Sequence, residues 1–301
     1  MNLRSLLIFF LIIQGSIFSL PACAQKINVT DLLGRRMAIP KDPVRVVSLA
    51  PNITEIVYAL GQAHRLVGVT TYSDYPAEAA SLPKVGSYVH LDLERIVSLA
   101  PDLCLAIKDG NPIAAASRLE SLGIPVYAAD PRDLESVMDT MSRIGKLLQA
   151  DKQAEQLVQG MQRRIQAVED LVAKTDHRPG LFFQIGVSPI VSVGTNTFIH
   201  ELIIRAGARN LAEGDVSYPR FSKEQVLGMM PDIIITSSMA RADVFEKIRA
   251  DWYQWKNLPA VKNDRIYFQD SNLFNRPSPR LVDALEILVR LVHPEMFKEG
   301  P

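Results

Sequence analysis

The chain has 301 residues, enough for one large domain or two ordinary ones, and its 48% apolar content is ample for packed cores and excludes a disordered chain. Its 33 basic side chains balance 33 acidic ones. Overall charge therefore supplies no drive toward nucleic acid or an anionic lipid surface.

Residues 1–24 read as an export signal. Arg4 supplies a positive start, residues 6–18 are almost wholly apolar, and Leu20-Pro21-Ala22-Cys23-Ala24 ends in small side chains. The apolar run is too short for a comfortable membrane span. Ala22-Cys23-Ala24 fits cleavage before Gln25 and a soluble mature chain, whereas Leu20-Pro21-Ala22-Cys23 resembles a lipoprotein box with Cys23 as the acylated residue. Either way Cys104 alone remains inside the fold, so no internal disulfide can form, and its apolar surroundings make it a packing thiol.

Residues 27–30 and 36–39 flank Asp31-Leu32-Leu33-Gly34 as a small hairpin. A buried strand over 45–50 turns at Pro51-Asn52 into a helix over 54–60, with Asn52 expected as N-cap and Glu55 as its capping-box partner. Further strands are expected at 66–70, 103–107 and 126–129, and helices at 113–122, ended by Gly123, and at 134–148. The 71–76 loop is rich in aromatic and polar groups, 82–90 is irregular, and Asp92 should cap a short helix carrying Glu94. Alternating strands and helices predict a mainly parallel sheet with helices on both faces.

Residues 151–174 place Ala154, Leu157, Val158, Met161, Ile165, Val168 and Val172 at steps of three and four. That spacing predicts one amphipathic helix of roughly 36 Å. Beyond it, strands are expected at 181–185, 190–193, 233–237 and 266–269, and helices at 198–206, 223–229 and 280–292. Ser222 and Gln225 should form a capping box, and 272–279 reads as a loop.

The segments on either side of the long helix repeat. Glu94 stands seven residues before Pro101-Asp102 and an apolar run, and Glu224 stands likewise before Pro231-Asp232. Glu55 to Gly61 matches Glu201 to Gly207, each an apolar turn ending at a glycine suited to the left-handed position after a helix. The reading is an α/β protein of two pseudo-symmetric lobes with mainly parallel sheets: an N-terminal lobe at 25–149, a rigid interdomain helix at 150–175 and a C-terminal lobe at 176–301. No Gly- or Ser-rich hinge separates the lobes, which predicts limited closure.

No nucleophile elbow, phosphate-cradling glycine loop or spaced His or Cys metal pair is present, so neither a catalytic set nor a metal site is expected. The five histidines, His64, His90, His177, His200 and His293, are scattered, and only His90 lies in a loop heading for the interlobe face. Tyr72, Tyr75, Tyr88, Tyr218, Phe274 and Arg276 fall at or beside strand-to-helix loops, which line the ligand side of an open parallel sheet. Together they predict a wide, flat, partly apolar site with hydrogen-bonding rims, suited to a large ring-shaped ligand.

Several motifs carry a family resemblance. They are Ser48-Leu49-Ala50-Pro51-Asn52-Ile53-Thr54-Glu55, Thr71-Tyr72-Ser73-Asp74-Tyr75-Pro76, Leu93-Glu94-Arg95-Ile96-Val97 with Pro101-Asp102, Ser222-Lys223-Glu224-Gln225-Val226-Leu227, and Phe274-Asn275-Arg276-Pro277-Ser278-Pro279-Arg280. In order and over nearly the whole mature chain, they resemble the periplasmic cobalamin-binding proteins of ABC importers, within the helical-backbone group that also takes siderophores and haem. The resemblance implies a class III periplasmic binding protein fold and a monomeric carrier with no cofactor of its own. The carrier would hold a corrinoid and deliver it to a permease dimer with ATPase subunits. It implies a ligand-facing set of Tyr72, Ser73, Tyr88, Ile107, Ile185, Tyr218, Asn272, Phe274 and Arg276. Departures are visible: the family has tryptophans where Tyr88, Ile107 and Tyr218 stand, a phenylalanine at Ile185 and an acid at Asn272.

Glu94 and Glu224 are implied to meet permease arginines. Matched carboxylates on a pseudo-symmetric protein suit a two-fold partner, although both also suit the positive end of a helix. The opening with Asp31, Gly34, Arg35 and Pro43 is similar to siderophore- and haem-binding relatives. For a haem or iron-siderophore ligand, Tyr72, Tyr88 or His90 would supply iron ligation and Arg276 would meet a propionate or chelate anion. An exported metal-dependent hydrolase is the remaining, remote alternative.

Overall fold

The computed structural model describes residues 25–237 and 242–297, and the expected export signal, with Cys23, lies outside the described residues. The chain opens with an antiparallel hairpin of β1 (Lys26–Thr30) and β2 (Arg36–Pro40). Asp31 fixes its turn by accepting from the backbone N–H of Leu33 and of Arg35.

The N-terminal lobe then runs β3 (Val46–Ser48), α1 (Pro51–Ala59), β4 (Leu66–Val69), α2 (Leu93–Ser98), β5 (Leu103–Ile107), α3 (Ile113–Ser121), β6 (Val126–Ala129) and α4 (Leu134–Leu147). After α5 (Asp151–Val172), the C-terminal lobe runs β7 (Gly180–Gln184), β8 (Ile190–Val191), α6 (Phe198–Arg205), β9 (Arg209–Asn210), β10 (Arg220–Phe221) and α7 (Lys223–Gly228). It ends with β11 (Ile233–Thr236), α8 (Ala242–Tyr253), α9 (Pro259–Lys262), β12 (Ile266–Phe268), α10 (Ser271–Phe274) and α11 (Leu281–Val292).

Each lobe has its own parallel four-stranded sheet, ordered β4-β3-β5-β6 in one and β9-β7-β11-β12 in the other. Taken by rank within the sheet, both read second, first, third, fourth, so the sequence repeat corresponds to a repeated topology. The repeat extends to the turns. α2 and α7 are each followed by a left-handed residue, Ala100 at φ 45° and Met230 at φ 51°, before the Pro-Asp pair. Asp102 then accepts from the backbone of Val44 and Arg45 just ahead of β3, and Asp232 accepts from Gly180 at the start of β7. Each aspartate thereby ties the third strand of its lobe to the first. Gly61 and Gly207, at φ 71° and 79°, end the matched helices α1 and α6.

The α5 helix has 22 residues, hence a length of roughly 33 Å. It is not a free rod. Ala154, Met161, Ile165, Val168 and Val172 are buried in one apolar core that continues into Met141 and Ile144 of α4 on one side and Leu285 and Leu288 of α11 on the other. The α4 contact is close: a Cβ added at Gly145 would lie 2.5 Å from the Ala154 methyl. Both sheets also pack on their outer faces, through Val47, Ile96 and Leu119 in one lobe and Phe182, Val226 and Trp252 in the other.

Four expectations need correction. Pro51 starts α1 with its pre-set φ, Ala50 is the N-cap without a side-chain bond, and Asn52 lies inside the helix. Glu55 is therefore no capping-box partner. The expected 272–279 loop contains α10, capped by Asp270, whose carboxylate accepts from Asn272 N. The helices α8 and α9 and the two-residue strands β9 and β10 were not anticipated. Asp92 and Ser222 do cap α2 and α7, the latter with the Gln225 box.

Candidate functional site

Glu55 is 3% exposed, and it faces the other lobe. Its Oε1 accepts from Arg276 Nη1 at 3.1 Å and Arg280 Nη2 at 2.8 Å, and its Oε2 accepts from Arg280 Nε at 2.9 Å and Ser278 Oγ at 2.7 Å. Arg276 also donates to Asp74 Oδ1 at 2.9 Å, the Tyr72 carbonyl at 2.9 Å and Asn272 Oδ1 at 2.6 Å. Arg280 lies 3.7 Å over the Tyr75 ring. Two guanidiniums are thus matched by two carboxylates and the 71–76 loop is joined to the 272–280 segment. Glu201, the repeat partner of Glu55, crosses in the opposite direction. Its Oε2 accepts from Leu134 N at 2.6 Å, at the first residue of α4, while Arg205 links it to Glu169 of α5.

Beside these crossings lies a cleft of about 420 Å³ between the lobes. Tyr72, Tyr88 and Ile107 line it from the N-terminal lobe, and Ile185, Tyr218, Asn272 and Arg276 from the C-terminal lobe. The rings of Tyr72 and Tyr88 meet edge-on at 6.4 Å, and Tyr72 and Tyr218 are 43% and 46% exposed, so both still offer surface to a ligand. Burial pushes the Tyr218 phenol up, and Asp109 adds to the shift. It therefore remains a neutral hydroxyl at neutral pH.

A buried asparagine positions the aromatic wall. Asn111 Oδ1 accepts from Ile107 N at 2.8 Å, and its Nδ2 donates to the Leu49 and Tyr88 carbonyls, both at 2.8 Å. Gly110, at φ 128°, lets the Tyr88 ring pack against the turn, since a Cβ there would sit 2.7 Å from it. Neither residue was among the sequence candidates.

Three candidates lie outside the lining: Ser73, Phe274 and Tyr75, whose ring stacks on Arg280. Ser73 is buried beneath its loop, bonded to Thr54 and Thr70 hydroxyls, and Phe274 is a core residue packed on Phe183 with ring centroids 5.9 Å apart. His90 is exposed and is not part of the lining. Conversely, Asn52, Asp109, Asp130, Arg132 and Asn196 line the cleft without having been anticipated. Asp109 and Asp130 follow the ends of β5 and β6, where ligand-facing loops are expected. Their residue type alone reads as ordinary turn chemistry. Among the described residues no three His, Cys, Asp or Glu side chains gather as a metal site. Glu94 and Glu224 are exposed at matched second positions of α2 and α7, and the Glu224 carboxyl is held below the usual range by its own backbone N–H and the Ser222 hydroxyl.

The family described as periplasmic binding protein matches residues 46–273, and the chain belongs to it. The chain is 32% identical over 280 residues to an uncharacterized ABC transporter substrate-binding lipoprotein of Bacillus subtilis, covering 91% of this chain and 87% of that one. Its structure is similar to the periplasmic vitamin B12-binding protein BtuF of Vibrio cholerae, with a TM-score of 0.73, 30% identity and coverage of 85% of this chain and 99% of that one. It is also similar to a periplasmic haem-binding protein of Pseudomonas aeruginosa, with a TM-score of 0.76, 28% identity and coverage of 84% and 93%.

Glu55→Ala should lower unfolding free energy by about 3–5 kcal/mol, because it leaves the buried Arg276 and the largely covered Arg280 short of a counter-charge. Glu286→Ala should lower it by less than about 1 kcal/mol, since its pair with Arg164 is about 40% exposed. Urea unfolding of both variants checks the difference.

Proposed function

We propose that the protein is the substrate-binding component of an ABC importer, carrying cobalamin or a related corrinoid in the interlobe cleft and delivering it to a membrane permease dimer driven by ATPase subunits. The observation that carries the reading is the composition of opposed walls. Tyr72, Tyr88 and Ile107 face the cleft from one lobe and Ile185 and Tyr218 from the other. Flat apolar surfaces suit the two faces of a large ring. The asparagines Asn52, Asn196 and Asn272, also in the lining, suit a polar periphery. The likeness to the Vibrio cholerae protein points to the same class of ligand.

Haem or an iron chelate is the second reading, favoured by the likeness to the Pseudomonas aeruginosa protein. Of the groups named for it, Tyr72 and Tyr88 do line the cleft, while the other two give it less support. His90 stands outside the lining, and Arg276 is committed to Glu55 and Asp74 rather than free for a propionate. The proposed role is carriage, which the likeness to binding proteins supports. An extracytoplasmic location follows from the pattern of residues 1–24, with cleavage before Gln25 releasing a soluble chain and acylation of Cys23 tethering it.

Glu94 and Glu224 are the proposed docking contacts, one exposed on each of two lobes of like topology. A two-fold permease presents equivalent arginines, and each carboxylate can take one in a bidentate pair.

Titration with cyanocobalamin, cobinamide, haemin and a ferric siderophore, followed by heat and visible absorbance together, should show binding of the two corrinoids. Binding restricted to the iron compounds would overturn the corrinoid assignment and leave the transport reading standing. Charge reversal of Glu94 and Glu224 together should abolish uptake in cells with ligand affinity unchanged. Unimpaired uptake would remove the docking assignment.

A further inference from the structure

The charged side chains of the cleft are Asp109, Asp130, Arg132 and Arg276, and both cations are already engaged. Arg276 is held by Glu55 and Asp74, as described. Arg132 Nε donates to Asp130 Oδ2 at 3.0 Å and its Nη2 to Asp109 Oδ1 at 3.5 Å, while Lys108, just outside the lining, meets Asp130 at 3.0 Å. Each guanidinium in the cleft therefore arrives with its counter-charge, and no unpaired cation among the described lining residues awaits an anionic ligand.

Asp109 differs from the other acids. Among the described residues its one cationic contact is the long one to Arg132, and its side chain is 55% exposed. Asn111, two residues on, anchors the turn that carries it, bonding to β5 and to the Leu49 and Tyr88 carbonyls. Tyr218, from the other lobe, is near enough for Asp109 to affect its phenol. The rim consequently offers acceptors on an anchored turn together with neutral hydroxyl and amide groups. A carboxamide can donate to such acceptors. A carboxylate would be brought against Asp109, where the neighbouring cation, Arg132, is already shared between Asp109 and Asp130.

We infer that Asp109, backed by the Asp130–Arg132 pair, is a specificity-determining residue that admits macrocycles with a neutral, carboxamide-bearing periphery and rejects those whose periphery carries carboxylates. The inference rests on the corrinoid reading and adds the charge class of the ligand to it. It also gives a physical ground for discrimination against dianionic porphyrins, independent of any metal ligand.

The test compares two rings with the same metal, both in the dicyano form: cobinamide, whose periphery is amidated, and cobyrinic acid, whose periphery is carboxylated. At low ionic strength the wild-type protein should bind cobinamide at least about tenfold more tightly, and the ratio should shrink as salt is added. In Asp109→Asn the ratio should fall by at least about threefold, and in Asp109→Lys further still, with circular dichroism showing both variants folded. Equal affinity of the wild-type protein for the two rings, or a ratio that neither variant moves, overturns the inference while leaving the corrinoid reading intact. Binding of neither ring overturns the corrinoid reading and the inference with it.

Discussion

A carboxylate buried between two lobes must find cations there, and Glu55 finds Arg276 and Arg280. Leaving any member of such a set unpaired costs several kcal/mol, so the set holds its members in one arrangement. The members belong to the 71–76 loop, to α1 and to the 272–280 segment, all of which contribute to the cleft lining. Cleft geometry is thus tied to an ion network that no ligand need complete. Glu201 reaches back to the N-terminus of α4, and α5 shares one core with helices of both lobes. Three separate attachments of this kind leave room for adjustment of the walls but oppose a wide opening.

The ligand surface is built on that fixed base. Strand ends bring Ile107 and Ile185 into opposed walls, and loops beyond the strands add the tyrosines. Asn111 and Gly110 set Tyr88 by bonding and by close approach, so the aromatic wall is ordered before a ligand enters. Pre-organisation lowers the entropy lost on binding, which suits a carrier that must capture a dilute solute. The matched glutamates on α2 and α7 follow from the same duplication that makes two sheets of one strand order. In this reading a symmetric partner and a central guest are two consequences of one repeated unit.

Much of the architecture was legible because it rests on local spacing. The α5 periodicity, the alternation of strands and helices, the caps Asp92 and Ser222 and the Glu-to-Pro-Asp repeat are all short-range patterns. Of the nominated ligand-facing residues, Tyr72, Tyr88, Ile107, Ile185, Tyr218, Asn272 and Arg276 lie on the cleft. Ser73, in the 71–76 loop, and Phe274, the last residue of α10, are instead buried in their own lobes, which a motif does not reveal. Glu55 was misread because its spacing from Asn52 satisfies a capping box, whereas its true partners stand more than two hundred residues away. Asp109, Asp130 and Arg132 escaped notice because aspartates after a strand are common turn formers. Helix α8 was missed although Phe245, Ile248 and Trp252 keep helical spacing.

The most direct measurement is a crystal structure of the mature protein with cyanocobalamin. The account predicts the corrin ring between Tyr72 and Tyr88 on one side and Tyr218 on the other, with Arg276 and Arg280 still bonded to Glu55. A ligand seated outside the cleft, or a guanidinium that abandons Glu55 to meet it, would contradict the account.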